Sequence, residues 1–329
     1  VSNWKVLESP LSQTSEYLAC REQVVAALAD LPQGKALSEA LIAGRDFLHL
    51  IHPDEVAGVS RIQVREGHGP QNLNDESTLD TQFHAYLEAA INPQIRSGLL
   101  ADGTKPGSYD DRKLRWSGNG VAGFWSRSQD TFTLEVGPTT YPRCRLDLTR
   151  SPLSALKLMM RGLTNYHDPY AYFARGIGVA VVPLTTDGNV YIGKRLNSSD
   201  YTGVLNFVAG WATFSPTVQD INFYQDAQGE LWEEVNVAMT LNDTNTRFVG
   251  MSGNPITGEV DLVFVVQTEM RDRHFRSKQW GEHSCLVPIR SKAEALALLE
   301  HGLLPGEQEP CSLMFSSRLG LEYLVQHHW

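Results

Sequence analysis

The sequence predicts an α+β protein in two parts. Residues 1–135 read as a separate α+β N-terminal domain, and residues 136–329 as an α/β/α sandwich with a mixed sheet and closing C-terminal helices. Three observations predict this. A length of 329 residues suggests about two domains. Amphipathic helical spacing is prominent in the first part, whereas strand and hairpin signals flank one acidic helical stretch in the second. A hydrophobic share of 42% and a mean hydropathy of −0.26 describe an ordinary globular chain able to bury a substantial core.

Composition narrows the partners. A net charge of −10 argues against a general nucleic-acid or anionic-membrane surface, while leaving room for a local basic pocket around a small phosphorylated ligand. Cys20, Cys144, Cys285 and Cys311 are far apart and form no CxxC pair, so they read as free thiols of a reducing compartment. No run of about 18 apolar residues is present, and the opening VSNWKVLESP lacks a basic segment followed by an apolar one. Cytoplasmic localisation is therefore the expectation, with no membrane partner. The chain opens on Val1 and its first methionine is Met159, so this expectation does not extend to a removed leader.

Taken in order, Thr14 to Leu31 has the apolar spacing of a helix with Ser12 or Thr14 as its cap, and Leu37 to Leu50 suggests another. Pro53 after His52 makes HisProAspGlu a helix stop and turn rather than a ligand cluster. Arg61 to Val64 reads as a strand, followed by a polar loop carrying His68. Ser77 to Leu99 begins as a capped helix that Pro93 kinks or ends. The turn-rich run from Asp102 to Gly120 is linker-like; its Arg112, Lys113 and Arg115 are either solvated or available to a phosphate. Val121 to Gly137 reads as a β-hairpin turning through Arg127 to Asp130.

In the second part, His167 and Asp168 read as a turn before Pro169. Two apolar runs joined at Asp187 and Gly188 give a hairpin signal over residues 176–196. Lys194 and Arg195 end its second strand, either as ordinary charged residues or as contacts to a substrate phosphate. Thr246 to Ser252 and Glu259 to Thr268 are strand-like around an Asn-Pro and Thr-Gly turn, and Cys285 to Ile289 is a further short strand. Ser291 with Glu294 caps a helix running to Gly302, and Leu313 to Gln326 forms the last helix.

The chemistry is concentrated between Gly210 and Val237, where a glycine-led loop runs into a helix carrying Glu230, Glu233 and Glu234. Positions i, i+3 and i+4 share a helix face, so the three carboxylates converge, and Asp226 extends the row by one turn. No lysine or arginine lies between Ile221 and Val237, and each like-charge neighbour pair destabilises by roughly 0.2–0.5 kcal/mol. An acidic row of this kind is either a solvated face or the oxygen-rich side of a site for a hard divalent cation.

This segment resembles a degenerate Nudix box, the Gx5Ex7REUxEExGU signature of hydrolases that cleave nucleoside diphosphates linked to another moiety. Gly210, Glu230, Leu231, Glu233, Glu234 and Val237 match it. Gly229 replaces its arginine, Asn236 its closing glycine, and no glutamate occupies the early loop position. The interval from Gly210 to Glu230 is 20 positions, so the loop is longer than the signature allows. GPTTY at 137–141 and the hairpin at 176–195 also resemble the entry to the domain in a subgroup that includes UDP-glucose pyrophosphatase.

The resemblance implies Mg2+ or Mn2+ held by Glu230, Glu233 and Glu234, and catalysis by Glu233 with Glu282 as general base, Glu269 being its competitor. It also implies a small phosphorylated substrate, such as a UDP-sugar, met by Lys194, Arg195 and Gly210. The altered box leaves two alternatives open: a Nudix-fold binding or regulatory module without turnover, and a pathway enzyme acting on another phosphorylated substrate. The N-terminal part is left as a lid, a homodimer surface or a substrate-selective platform.

Overall fold

The structure is a computed structural model that describes residues 14–31, 34–67, 77–97, 112–118, 123–196, 201, 203–215, 217–276 and 283–329. The first helix, α1 (Ser15–Leu28), starts where Thr14 Oγ1 accepts the Tyr17 N–H at 3.2 Å. The helix α2 (Gly34–Ile42) is shorter than its sequence pattern suggests. The expected helix over Leu37 to Leu50 stops at Ile42, Gly44 takes φ +62°, and Leu48–Ile51 forms a strand, β1. Its apolar residues suit either periodicity. Pairing with a distant strand, β10 (Thr246–Gly253), decides between them.

A single 3-10 turn (Pro53–Val56) follows His52, as the proline dictates. The strand β2 (Arg61–Glu66) comes next, and the loop containing His68 lies outside the described residues. The helix α3 (Ser77–Tyr86) passes through a π-turn (Leu87–Ile91) into α4 (Asn92–Arg96). Pro93 therefore does not end the helical run at its own position. The wider turn just before it accommodates the lost backbone donor. Within the stretch read as a linker, Arg112–Trp116 is a strand, β3; most of the remainder lies outside the described residues.

The hairpin through residues 127–130 forms as expected, between β4 (Trp125–Ser128) and β5 (Thr131–Thr140). With β2 parallel and β3 antiparallel to β5, these make a four-stranded sheet. Two helices follow: α5 (Tyr141–Thr149), with Pro142 in its first turn, and α6 (Pro152–Tyr166), capped by Ser151. Sequence patterning did not isolate either helix. His167 closes α6 in the left-handed conformation, and Asp168 forms a buried 2.7 Å ion pair with Arg175.

The larger sheet has eight strands, among them β6 (Ile177–Leu184), β7 (Val190–Arg195), β8 (Leu205–Asn206) and β9 (Val208–Trp211). The remainder are β1, β10, β11 (Val260–Gln267) and β12 (His283–Ile289). Its main order is β1-β10-β11-β6-β7-β12, with β9 on β6 and β8 on β7. Among the described strands of this sheet only the β11–β6 pairing is parallel, so the sheet is mixed.

Alternation along each strand feeds both faces. Ile177, Val179 and Val181 join Leu262 and Phe264 beneath α7 (Phe223–Val235). Ala180, Val182 and Val263 meet α9 (Lys292–His301) and α10 (Phe315–His327) on the other side. This is the α/β/α sandwich expected of the second part. A short helix, α8 (Asp272–Arg276), leads toward β12.

The first part of the chain also contributes to this frame. The strand β1 is one edge of the large sheet, and β3 bridges to the second part through Lys113↔Thr213 and Arg115↔Gly176. The 135/136 position falls inside β5.

Candidate functional site

The site begins with α7. Asn222 accepts the Tyr224 N–H at 3.0 Å to cap its start, and Asn236 closes it at φ 53°, ψ 42°, the conformation for which glycine or asparagine is suited. Phe223, Ala227, Leu231 and Val235 are buried against the sheet, which fixes the roll of the helix. Glu230, Glu233 and Glu234 consequently turn toward one cavity of about 310 Å³.

Gly210 explains itself at this point. It pairs with Val179 in the sheet, and a Cβ there would collide with the Glu230 carboxylate. The same device recurs on neighbouring strands, where Gly178 leaves room for Asp261 and Gly193 for His283. Three strands are thinned so that polar side chains can lie against their backbones.

Among the described residues, five carboxylates line the cavity: Glu230, Glu233, Glu234, Glu259 and Asp261. Lys113, Arg145 and Arg195 face them. Glu233 is exposed, Glu230 half-buried and Glu234 buried, where its Oε2 lies 3.0 Å from His283 Nε2. Glu259 is buried and accepts from both Trp211 Nε1–H and the Tyr201 hydroxyl. Burial pushes the Asp261 carboxyl up to about 7, against the pull of the Ser316 hydroxyl and Arg195. Burial likewise raises Asp226, one turn before Glu230, to about 6, opposed by the Thr213 N–H and Lys113.

Of the residues singled out from sequence, Gly210, Arg195, Glu230, Glu233 and Glu234 meet in this cavity. Lys194 does not line it. Adjacent strand residues point to opposite faces, and the Lys194 carbonyl accepts the Ser284 hydroxyl at 3.1 Å. Glu282 lies outside the described residues, although its neighbour His283 reaches Glu234. Glu269 sits with Arg271 and His274 in a different surface depression. Lys113, which the sequence leaves either solvated or available to a phosphate, lines the cavity too, and sequence patterning missed Tyr141, Arg145, Tyr201, Glu259 and Asp261. The last pair left a signal: two acids at i and i+2 leading into an apolar strand are out of place unless they face a polar site.

Among the described residues, no group of three or more His, Cys, Asp or Glu side chains is placed to hold a metal ion as it stands. The donor set nevertheless fits a hard divalent cation. Glu230, Glu233 and Glu234 all offer carboxylate oxygens, and among the described residues the lining carries five acids against three bases, so an added cation would lower the cost of admitting an anionic ligand. Also among the described residues, no helix is long and apolar enough to cross a membrane.

A mixed sheet lies between helix layers, and an acidic helix faces basic side chains over a glycine-thinned strand. Over about half of its length the chain is similar in structure to Nudix proteins. The MutT protein of Methanosarcina mazei matches at 15% identity and TM-score 0.30, covering 46% of this chain and 93% of that one. The Nudix domain of NrtR from Shewanella oneidensis, crystallised with ADP ribose, matches at 17% identity and TM-score 0.31, covering 50% and 93%. DR0079 of Deinococcus radiodurans matches at 17% identity and TM-score 0.29, covering 47% and 83%. No family model and no curated protein matches the chain.

Proposed function

We propose that this chain is a divalent-metal-dependent hydrolase that splits the diphosphate linkage of a nucleoside diphosphate derivative, with UDP-sugars the first candidates. One observation carries the reading: the three box glutamates share a cavity with Lys113, Arg145 and Arg195, cations placed for phosphate oxygens.

Glu230, Glu233 and Glu234 are the residues proposed to hold Mg2+ or Mn2+. When bound, such an ion neutralises the diphosphate and lowers the pKa of an attacking water. The chain's own contribution is positional. Gly210 seats Glu230, His283 holds Glu234, and the basic side chains orient the linkage. Glu233, at the exposed side of the cavity, and Glu282, beside His283 in the chain, are the proposed bases.

The buried Glu234–His283 pair favours a second reading, a ligand-binding module without turnover, because it engages a carboxylate that the resemblance assigns to the metal. One assay separates the two readings. The protein is incubated with UDP-sugars, ADP-ribose, dinucleotides and prenyl diphosphates, with and without Mg2+, and phosphorylated products are measured. Mg2+-dependent release of a nucleoside monophosphate is expected, and saturable binding with no product would leave only the module. Glu234→Gln is expected to reduce turnover at least about 10²-fold. Unaffected hydrolysis would place the metal elsewhere.

A further inference from the structure

We infer that the aromatic end of the cavity, where Trp211 meets Tyr141 and Glu259 fixes Trp211 and Tyr201, seats the nucleobase of the substrate. This rests on the nucleoside diphosphate reading and extends it from the linkage cleaved to the group recognised.

The geometry is that of a built wall. The Trp211 and Tyr141 rings meet edge to face, with centroids 5.4 Å apart at 71°. Arg145 lies over the Tyr141 ring at 5.6 Å and donates to its hydroxyl at 3.2 Å, so one guanidinium fixes that ring beside Trp211. Behind the wall, Tyr201 packs with Leu148, Val204, Met314 and Phe315 in a small apolar cluster that Trp211 joins. This cluster is separate from both faces of the main sandwich.

Glu259 gives the wall its rigidity. It is only 6% exposed, a costly position for a carboxylate unless donors surround it. One oxygen accepts from Trp211 Nε1–H and the other from the Tyr201 hydroxyl. Both contacts aim aromatic side chains, so Glu259 acts as a positioning residue and not as a metal ligand. Tyr201 holds a left-handed φ of 60°, an uncommon conformation for a bulky residue that such a contact helps maintain.

A flat π-face recognises another flat π-face. Every nucleobase has one and can stack on an aromatic side chain, whereas a phosphate has none. Glu230 and Glu233 line the same cavity, so one ligand can put its diphosphate against α7 and its base against Trp211. Trp211 follows Gly210 on β9, while Tyr141 and Arg145 come from α5 and Lys113 from β3, so elements outside the box helix and its strand share in the recognition.

The test is calorimetric binding of UMP, AMP and ribose 5-phosphate to the full chain, the last having sugar and phosphate but no base. Wild-type protein is expected to prefer the nucleotides, and Trp211→Ala to weaken them by about tenfold or more while leaving ribose 5-phosphate unchanged. Trp211→Phe keeps a ring and is expected to retain the preference, which separates stacking from misfolding. Glu259→Gln, able to accept only one of the two donors, is expected to weaken UMP and AMP several-fold without altering Mn2+ affinity. Equal binding of all three probes by wild-type protein overturns the inference, as does a fall in Mn2+ affinity in Glu259→Gln. An intact nucleotide preference without turnover sinks only the hydrolase reading. Turnover without that preference sinks only this one.

Discussion

A single methyl group at position 210 would occupy the space of the Glu230 carboxylate. Gly210→Ala is therefore expected to displace Glu230 and lower kcat/KM by about 10²-fold, with the far-UV circular dichroism unchanged. Unchanged kinetics would remove Glu230 from the mechanism. Asp261 supports a pH prediction for the metal-free protein. Its carboxyl is raised from 3.8 to about 7, so across that window the folded chain keeps a proton that the unfolded chain has released. Stability from this group is full below the unfolded value and is lost as pH rises through the folded one. Asp261→Asn should accordingly flatten the decline in denaturation midpoint between pH 4 and 7; an undiminished decline would assign it to other groups. The three box glutamates were legible in the sequence because one helical period places them together. Glu259 and Asp261 were not, since the pairing of β11 with β6 carries them to the cavity, and the sequence leaves Lys113 either solvated or at a phosphate until its bridge to Thr213 places it.

The helix α7 is the element on which those glutamates depend, and its two irregular residues behave differently. A Cβ at Gly229 meets nothing within 4 Å, so the glycine costs helix stability without making room for a neighbour. Gly229→Ala is expected to raise unfolding stability by about 0.8–1.0 kcal/mol in a denaturant titration. A loss would reveal a contact made only in solution. Asn236 is already in the left-handed region, and Asn236→Ala should cost about 1 kcal/mol in the same titration. The C-terminal end of this helix could be read from sequence at Asn236, since a left-handed cap is a local signal, whereas its start at Asn222 was not picked out. The hairpins at residues 127–130 and 187–188 were legible for the same reason. The run from Leu37 to Leu50 was not. Its second half satisfies helix and strand patterns alike, and the choice is made by β10, some two hundred residues later, where Leu48 pairs with Gly253. The strand β3 was hidden by its charges. Lys113 faces the cavity, and Arg115 is buried with its basicity lowered to about 10 by desolvation and the nearby Arg175, so a run that looks solvated belongs to the interior.

For the whole molecule, the open question is whether the four-stranded sheet and the sandwich behave as two units, as length and composition alone suggest. Their contacts argue for one. Phe132 on β5 is fully buried, its ring 5.2 Å from Phe248 on β10, which in turn lies 5.6 Å from Phe264 on β11. Trp116 on β3 donates its indole N–H to the Gly258 carbonyl at 2.6 Å, and β1 is hydrogen-bonded along β10. Aromatic side chains from the first part thus complete the face of the large sheet that α7 also covers. Removing one of them should be felt on both sides. Phe132→Ala is expected to cost about 3–5 kcal/mol, and native-state hydrogen exchange tests how that loss is distributed. If the parts open together, amides of β2 and β5 and amides of β6 and β11 will lose protection by the same free energy. If only the β2 and β5 amides are loosened, the small sheet is an independent unit. Joint loss also bears on the site, because β3 carries Lys113 into the cavity from the small sheet. A shared core would make the placement of that cation and of the α7 carboxylates one cooperative event.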